Sequence, residues 1–245
     1  MNLLCLDIGN TSITVCKSSK AKLGKLTRIP SSNHFTDTLS NYDLELIESI
    51  IVCSVVPELT EILTNYCRLN SIDLFVINHK NSNLNLLVDD PSEVGNDRIC
   101  NIVAAYKHSK SASIIIDFGT ATTYDVINEK GDFIGGAIAP GIDISADYLI
   151  QKTAQLKNTI YKFPDNVIGT NTTTNIQSGV MMGGLESVKG MIKLIKKEIS
   201  NPNGNIIITG GFGLLISNAL EGEHVYKETL TIEGMLEIFF ATSIN

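Results

Sequence analysis

Residues 113–127 read SIIIDFGTATTYDVI, an apolar run that ends on Asp117, breaks at Gly119-Thr120 and resumes in β-branched residues. A short apolar run closed by Asp and Gly is a buried strand entering a tight turn, and the run after it makes the pair a hairpin. The same arrangement opens the chain, where residues 3–15 read LLCLDIGNTSITV. A strand–Asp–x–Gly–strand unit therefore occurs twice. Repetition at that spacing predicts an α/β protein of two similar domains with a cleft between them. The boundary is expected near residue 112, giving domains 1–112 and 113–245.

Working outward, SIIVCSVV at 49–56 is a further apolar run, stopped by Pro57. Proline is tolerated in the first turn of a helix, so Pro57-Glu58-Leu59 is expected to open one. DLFVI at 73–77 predicts a strand, and the polar stretch 78–93 a loop. In GNDRICNIVAAYKHS at 95–109, Ile99, Ile102, Val103 and Tyr106 have the spacing of one helix face, with Asp97 in the first turn. FIGGAIA at 133–139 runs to Pro140-Gly141, where a helix is expected to begin. Residues 174–199 predict one long helix or two, and NIII at 205–208 a strand into Thr209-Gly210-Gly211 with a helix beyond.

Composition narrows the function. A hydrophobic fraction of 43% and a charged fraction of 18% belong to a folded protein with ample core. A net charge of -7 argues against nucleic-acid or anionic-membrane binding, which need a basic face. Lys193, Lys196 and Lys197 share their segment with Glu198, and a solvated helix face accounts for them. The start, MNLLCLDIGN, lacks the basic opening of a signal peptide, and no window reaches the apolar length of a membrane span. The five cysteines have no C-x-x-C spacing and mostly lie in apolar runs, where thiols act as small hydrophobes. The expectation is a soluble, cytoplasmic protein without a zinc site.

The two turns carry chemistry of their own. Glycine lets a backbone approach phosphates closely, and Thr and Asn donate hydrogen bonds to their oxygens. An Asp fits beside phosphates once it holds the cation, or the water around the cation, that neutralises them. Either turn alone is an ordinary β-turn. Two of them at strand ends, with the glycine-rich Thr209-Gly210-Gly211 as a third, point to a nucleotide.

The segments DIGNTSI near the start, SVVP at 54–57, VGNDR at 94–98, DFGTATTYD at 117–125, GGAIAPG at 135–141 and TGG at 209–211 together resemble the type III pantothenate kinases. They occur in family order and span most of the chain. The resemblance implies an actin-like (ribonuclease H-like) fold of two α/β domains, usually a homodimer. It implies phosphorylation of pantothenate to 4′-phosphopantothenate by ATP, the first step of coenzyme A synthesis, with Mg2+ on the nucleotide and a monovalent cation, K+ or NH4+. Position by position, it puts Asp7, Ile8, Gly9, Asn10, Thr11, Ser12, Ile13 and Thr14 on the ATP phosphates, joined by Thr120. Gly95, Asn96, Asp97 and Arg98 would bind pantothenate, with Asp97 as proton acceptor for the attacking hydroxyl and Arg98 gripping the carboxylate. Asp117 would ligate the monovalent cation, and Thr172 would contact substrate. Two positions depart from the family pattern: Val88 stands near where a Tyr is common, and Thr170 replaces a Lys.

Bland readings exist for the central pair. Asp97 could be a first-turn carboxylate favoured by the helix dipole, and Arg98 half of a surface ion pair. Two other functions share the scaffold. A regulatory protein would not need Asp97 and Asp117. A kinase for another small hydroxylated compound would share the phosphate turns without Gly-x-Asp-Arg ahead of the second one.

Overall fold

A computed structural model of the chain describes residues 2–19, 22–151, 161–199, 201 and 204–242. Two compact units make it up: Met1–Lys110 with Ile127–Ile134 and Thr229–Asn245, and Ser111–Val126 with Gly135–Glu228. The expected halves, 1–112 and 113–245, were continuous; the units gather separated stretches, because the apolar C-terminal helix and a hairpin tip pack with the first.

The first unit is built on β1 (Asn2–Ile8), β2 (Ser12–Ser19), β3 (Lys22–Pro30), β4 (Ser49–Ser54) and β5 (Leu74–Val76). Their order in the sheet is β3-β2-β1-β4-β5, with β1 antiparallel to β2 and parallel to β4. The central strand is apolar on both faces because both are covered. Leu3, Leu4, Cys5 and Leu6 are fully buried, each apolar side chain worth roughly 1.5–3 kcal/mol. Helix α1 (Pro57–Leu69) starts on its proline and buries Leu59, Leu63 and Cys67, spaced four apart, into this core. Helix α2 (Asn96–Ser109) ends on left-handed Lys110. Against it lies the C-terminal helix, α7 (Leu230–Thr242), so close that a Cβ on Gly234 would stand 1.9 Å from the Cys100 carbonyl oxygen.

The second unit repeats the plan. β6 (Ser113–Phe118), β7 (Ala121–Ile127), β8 (Phe133–Pro140), β9 (Asn205–Gly210) and β10 (Val225–Tyr226) lie in the order β8-β7-β6-β9-β10. Counted from the first strand of each, both sheets run 3-2-1-4-5. β6 is parallel to β9, and the two-residue link from β6 to its neighbour β7 requires an antiparallel pair. Between the third and fourth strands the units diverge. The first has two short 3-10 segments, Phe35–Asn41 and Leu44–Leu46, whereas the second has α3 (Ile142–Gln151), α4 (Thr172–Gln177), a π-helical turn at Ser178–Met182 and α5 (Gly183–Glu198). The long helical pattern at 174–199 is thus two helices joined by one widened turn. Helix α6 (Gly213–Ala219) follows β9.

Candidate active site

In the first unit, Asp7 is the penultimate residue of β1, level with Cys53 on β4 and Thr14 on β2. The turn that follows closes with the Gly9 N–H donating to the Ser12 carbonyl at 3.0 Å. Ser31, just past Pro30, braces it twice: its hydroxyl donates to the Gly9 carbonyl at 2.6 Å and its N–H to the Thr11 carbonyl at 3.2 Å. Asn10, Thr11 and Ser12 are exposed, while Ile8 and Ile13 are buried beneath them. Backbone and hydroxyl donors thus face solvent over an apolar floor, which suits an anionic ligand.

The Gly-Asn-Asp-Arg segment is the N-terminal turn of α2. Gly95 is the cap, and the Asn96 amide donates to the Ser54 carbonyl at 3.0 Å, tying the helix start to the end of β4. The Asp97 carboxylate accepts the Arg98 N–H at 2.8 Å. A Cβ at position 95 would stand 2.6 Å from that carboxylate, so glycine here makes room for it. Burial pushes the Asp97 carboxyl above its ordinary value of 3.8, against the opposing pull of the Arg98 N–H and guanidinium. The Arg98 guanidinium lies over the Phe133 ring, 5.3 Å from its centroid.

Beneath these groups sit two buried thiols. Cys53 and Cys100 hydrogen-bond to each other, and each feels the charge of both Asp7 and Asp97. The first turn and the helix start are therefore brought together inside one unit. Burial above all, with the charges of Asp7 and Asp97, pushes both thiols towards the neutral form, while their shared hydrogen bond raises Cys53 and lowers Cys100.

In the second unit Asp117 is again penultimate in its strand, here level with buried Thr209 on β9. Gly210 has φ +87°, and a Cβ there would lie 2.4 Å from the Asp117 carboxylate. Only glycine lets the Thr209-Gly210-Gly211 backbone approach so closely. Thr120 is exposed, and its carbonyl accepts the Gly141 N–H at 3.1 Å, so the ends of β6 and β8 meet. Thr172 is exposed at the first position of α4, behind a capping box in which Asn171 accepts the Thr174 N–H at 3.0 Å. That box is built from the local Asn-Thr-Thr-Thr run and uses no residue at 170 beyond its N–H, which donates to the Thr174 hydroxyl. Val88 is partly exposed near the end of the 78–93 segment.

Among the described residues no cluster of three His, Cys, Asp or Glu could hold a metal ion, and no helix is long and apolar enough to cross a membrane. Asp117 offers one carboxylate, beside the Thr209-Gly210 backbone. Its oxygens are hard donors of the kind that Mg2+ and K+ take. Sequence reading passed over Ser31, Phe133, Gly210's approach to Asp117 and the thiol pair. Only Ser31 left a signal, since Pro30-Ser31 and Pro140-Gly141 end the two third strands alike.

The chain is similar to known proteins over nearly its whole length. The family profile described as type III pantothenate kinase matches residues 3–194. A type III pantothenate kinase from Desulforapulum autotrophicum is 37% identical, over 95% of this chain and 94% of its own. One from Koribacter versatilis is 37% identical over 99% and 97%. In fold, the chain resembles a Baf family transcriptional activator from Campylobacter jejuni, with a TM-score of 0.67, 21% identity, and 99% and 100% of the two chains covered. It also resembles a 2-dehydro-3-deoxygalactonokinase protein from Sinorhizobium meliloti, with a TM-score of 0.59, 11% identity, and 98% and 96% covered. Those two likenesses establish the two-domain actin-like α/β fold. The sequence matches go further: this chain belongs to the type III pantothenate kinase family.

Proposed function

We propose that the protein phosphorylates pantothenate with ATP, as the family name states, using Asp97 as the base that receives the hydroxyl proton. The observation that carries this reading is the paired chemistry at the start of α2. A carboxyl made more basic by burial stands next to an arginine whose guanidinium lies over an aromatic ring. Phosphoryl transfer leaves little covalent work for the protein, so positioning and charge neutralisation supply most of the rate. A base in hydrogen-bond reach of the hydroxyl adds about 10²–10⁴-fold. Arg98 would grip the substrate carboxylate through its planar fork, and Gly95, Asn96 and Thr172 are further residues proposed to contact substrate. Residues 7–14 and Thr120 would bind the ATP phosphates.

Kinases of this kind take ATP with Mg2+, and we assign Asp117 to the monovalent cation, K+ or NH4+. Its carboxylate beside the Thr209-Gly210 backbone fits such an ion. The bound cations would supply charge neutralisation on the phosphates.

A homodimer belongs to the same reading. β8 is an edge strand whose outward residues are apolar, with Ile138 at 65% exposure, and Tyr148 on α3 is 61% exposed. Phe133 at its start is paired with the 85–87 segment; beyond it, among the described residues, the exposed apolar side chains call for a cover, and a second copy would supply one. All five cysteines are free, buried thiols, in keeping with a reducing cytoplasm.

The test is ATP-dependent phosphorylation of pantothenate by the purified, folded protein with K+, with NH4+ and with Na+ alone. The expected result is turnover with the first two and little with the third. No turnover in any of them would end the proposal; equal turnover in all three would remove only the cation assignment.

A further inference from the structure

Arg98 does not reach its position by sequence alone, because its side chain is long and has many rotamers to lose. Among the groups that meet it is Phe133, a residue outside every motif of the chain, which is 1% exposed and whose ring centroid lies 5.3 Å from the guanidinium carbon. That distance is within the range at which a cation is attracted by the negative face of an aromatic ring.

The backbone that carries the ring is fixed by the 85–87 segment. The Phe133 N–H donates to the Asn85 carbonyl at 2.9 Å, and its carbonyl accepts the Leu87 N–H at 2.8 Å. Next to it, Asp132 accepts the Asn85 amide at 3.0 Å and the Asn128 amide at 2.9 Å, which holds the hairpin tip. At the tip, Gly131 (φ +86°) lies against the Tyr106 ring of α2, where a Cβ would stand 2.7 Å from the ring carbons. So the polar 78–93 segment, the β7–β8 tip and α2 all converge on this aromatic platform within the first unit.

A guanidinium stacks through its face and donates hydrogen bonds through its edge. The same group can therefore rest on a ring and still present two parallel N–H bonds to a carboxylate. We propose that Phe133 is a positioning residue for substrate recognition: its ring holds the Arg98 guanidinium in the plane that receives the pantothenate carboxylate. Holding the side chain before the substrate arrives lowers the ordering cost of binding. The inference rests on the reading of Arg98 as the carboxylate clamp.

The experiment replaces Phe133 in the full chain by 4-fluoro-, 3,5-difluoro- and 3,4,5-trifluorophenylalanine. Fluorine drains the negative face of the ring while barely changing its shape, so a purely structural role would give a flat series. The KM for pantothenate should rise stepwise, roughly tenfold across the series, with kcat and the KM for ATP unchanged. The carboxamide analogue of pantothenate should show no such trend. Thermal melts confirm that each variant is folded, and Phe133→Leu is the arm that removes the ring outright. A flat series, or a trend in kcat in place of KM, overturns the role of Phe133. The Kd of pantothenate for Arg98→Met separates this from the parent reading. If it is unchanged, the clamp itself is wrong. If it rises while the fluorine series stays flat, only the Phe133 inference falls.

Discussion

The two units share one strand order and differ in their third strands, each of which ends the order of its sheet. β3 reads KLGKLTRIP and β8 reads FIGGAIAP. Both end in proline, and the next residue of each braces the first turn of its own unit, Ser31 to Thr11 and Gly141 to Thr120. Yet β3 carries Lys22, Lys25 and Arg28, the charges that keep a sheet edge from pairing with another chain, and β8 carries none. The duplication has been kept where it holds the turns and dropped where it meets the surroundings. One edge strand is charged and the other is apolar.

The two turns invite the same comparison, and the largest expected effects lie there. Asp7 and Asp117 occupy one strand position, but Asp7 stands level with a thiol and Asp117 with a buried hydroxyl and a glycine that gives way to it. Asp117→Ala should remove activity together with the response to K+, read as turnover against K+ concentration at fixed ionic strength. An Asp117→Ala protein that is active and still answers to K+ would show that the two turns do not divide the work as proposed.

Asp97 lies in the first turn of α2, outside the two strand–turn–strand repeats, so its replacement tests chemistry apart from them. Asp97→Asn should cost about 10²–10⁴-fold in turnover while ATP still binds. The same change should stabilise the fold near neutral pH. The carboxyl is raised in the folded protein, so the native state binds more protons than the unfolded one above the ordinary 3.8, and stability falls as pH climbs through the raised value. Asparagine removes that penalty. Melting curves of the two proteins should diverge at neutral pH and converge below pH 3.8, and the acid limb of kcat/KM should lie above that value. Equal melts at neutral pH would mean that burial of Asp97 carries no cost.

Next in size are the glycines that let each third strand approach its neighbour. A Cβ on Gly24 would lie 2.2 Å from the Lys17 carbonyl oxygen, and one on Gly136 1.9 Å from that of Tyr124. Backbone cannot yield as a side-chain tip can. Gly24→Ala and Gly136→Ala should each cost about 1–3 kcal/mol in denaturant unfolding. If one is neutral, the two edges are not equivalent in packing.

These pairs also show where the sequence was informative. The central strands, both Asp-Gly turns, the proline start of α1 and the start of α2 were readable because burial on two faces and turn chemistry leave local marks. β3 left none: its residues alternate poorly because an edge strand with charges on it has little to bury. α7 hid for the opposite reason. LTIEGMLEIFFAT is apolar on most sides, so no amphipathic period marks it. In the site, Asp97 and Arg98 could be named from their motif, but the ring under Arg98 comes from a hairpin tip far along the chain. No spacing rule links residues 98 and 133; only the tertiary fold does.

The smallest expected change in folding free energy bears most directly on the contrast between edges. Ile138 is 65% exposed on β8, so Ile138→Lys should alter the stability of the isolated chain by no more than about 0.5 kcal/mol. If β8 is covered by a second copy, the same lysine would be buried without a partner and the assembly should fall apart, read as a halved mass in light scattering. Lys25→Glu on β3 keeps a charge on a solvated edge and should leave the mass as it was. A dimer that survives Ile138→Lys but not Lys25→Glu would reverse the assignment of the two edges, although their backbones follow one plan.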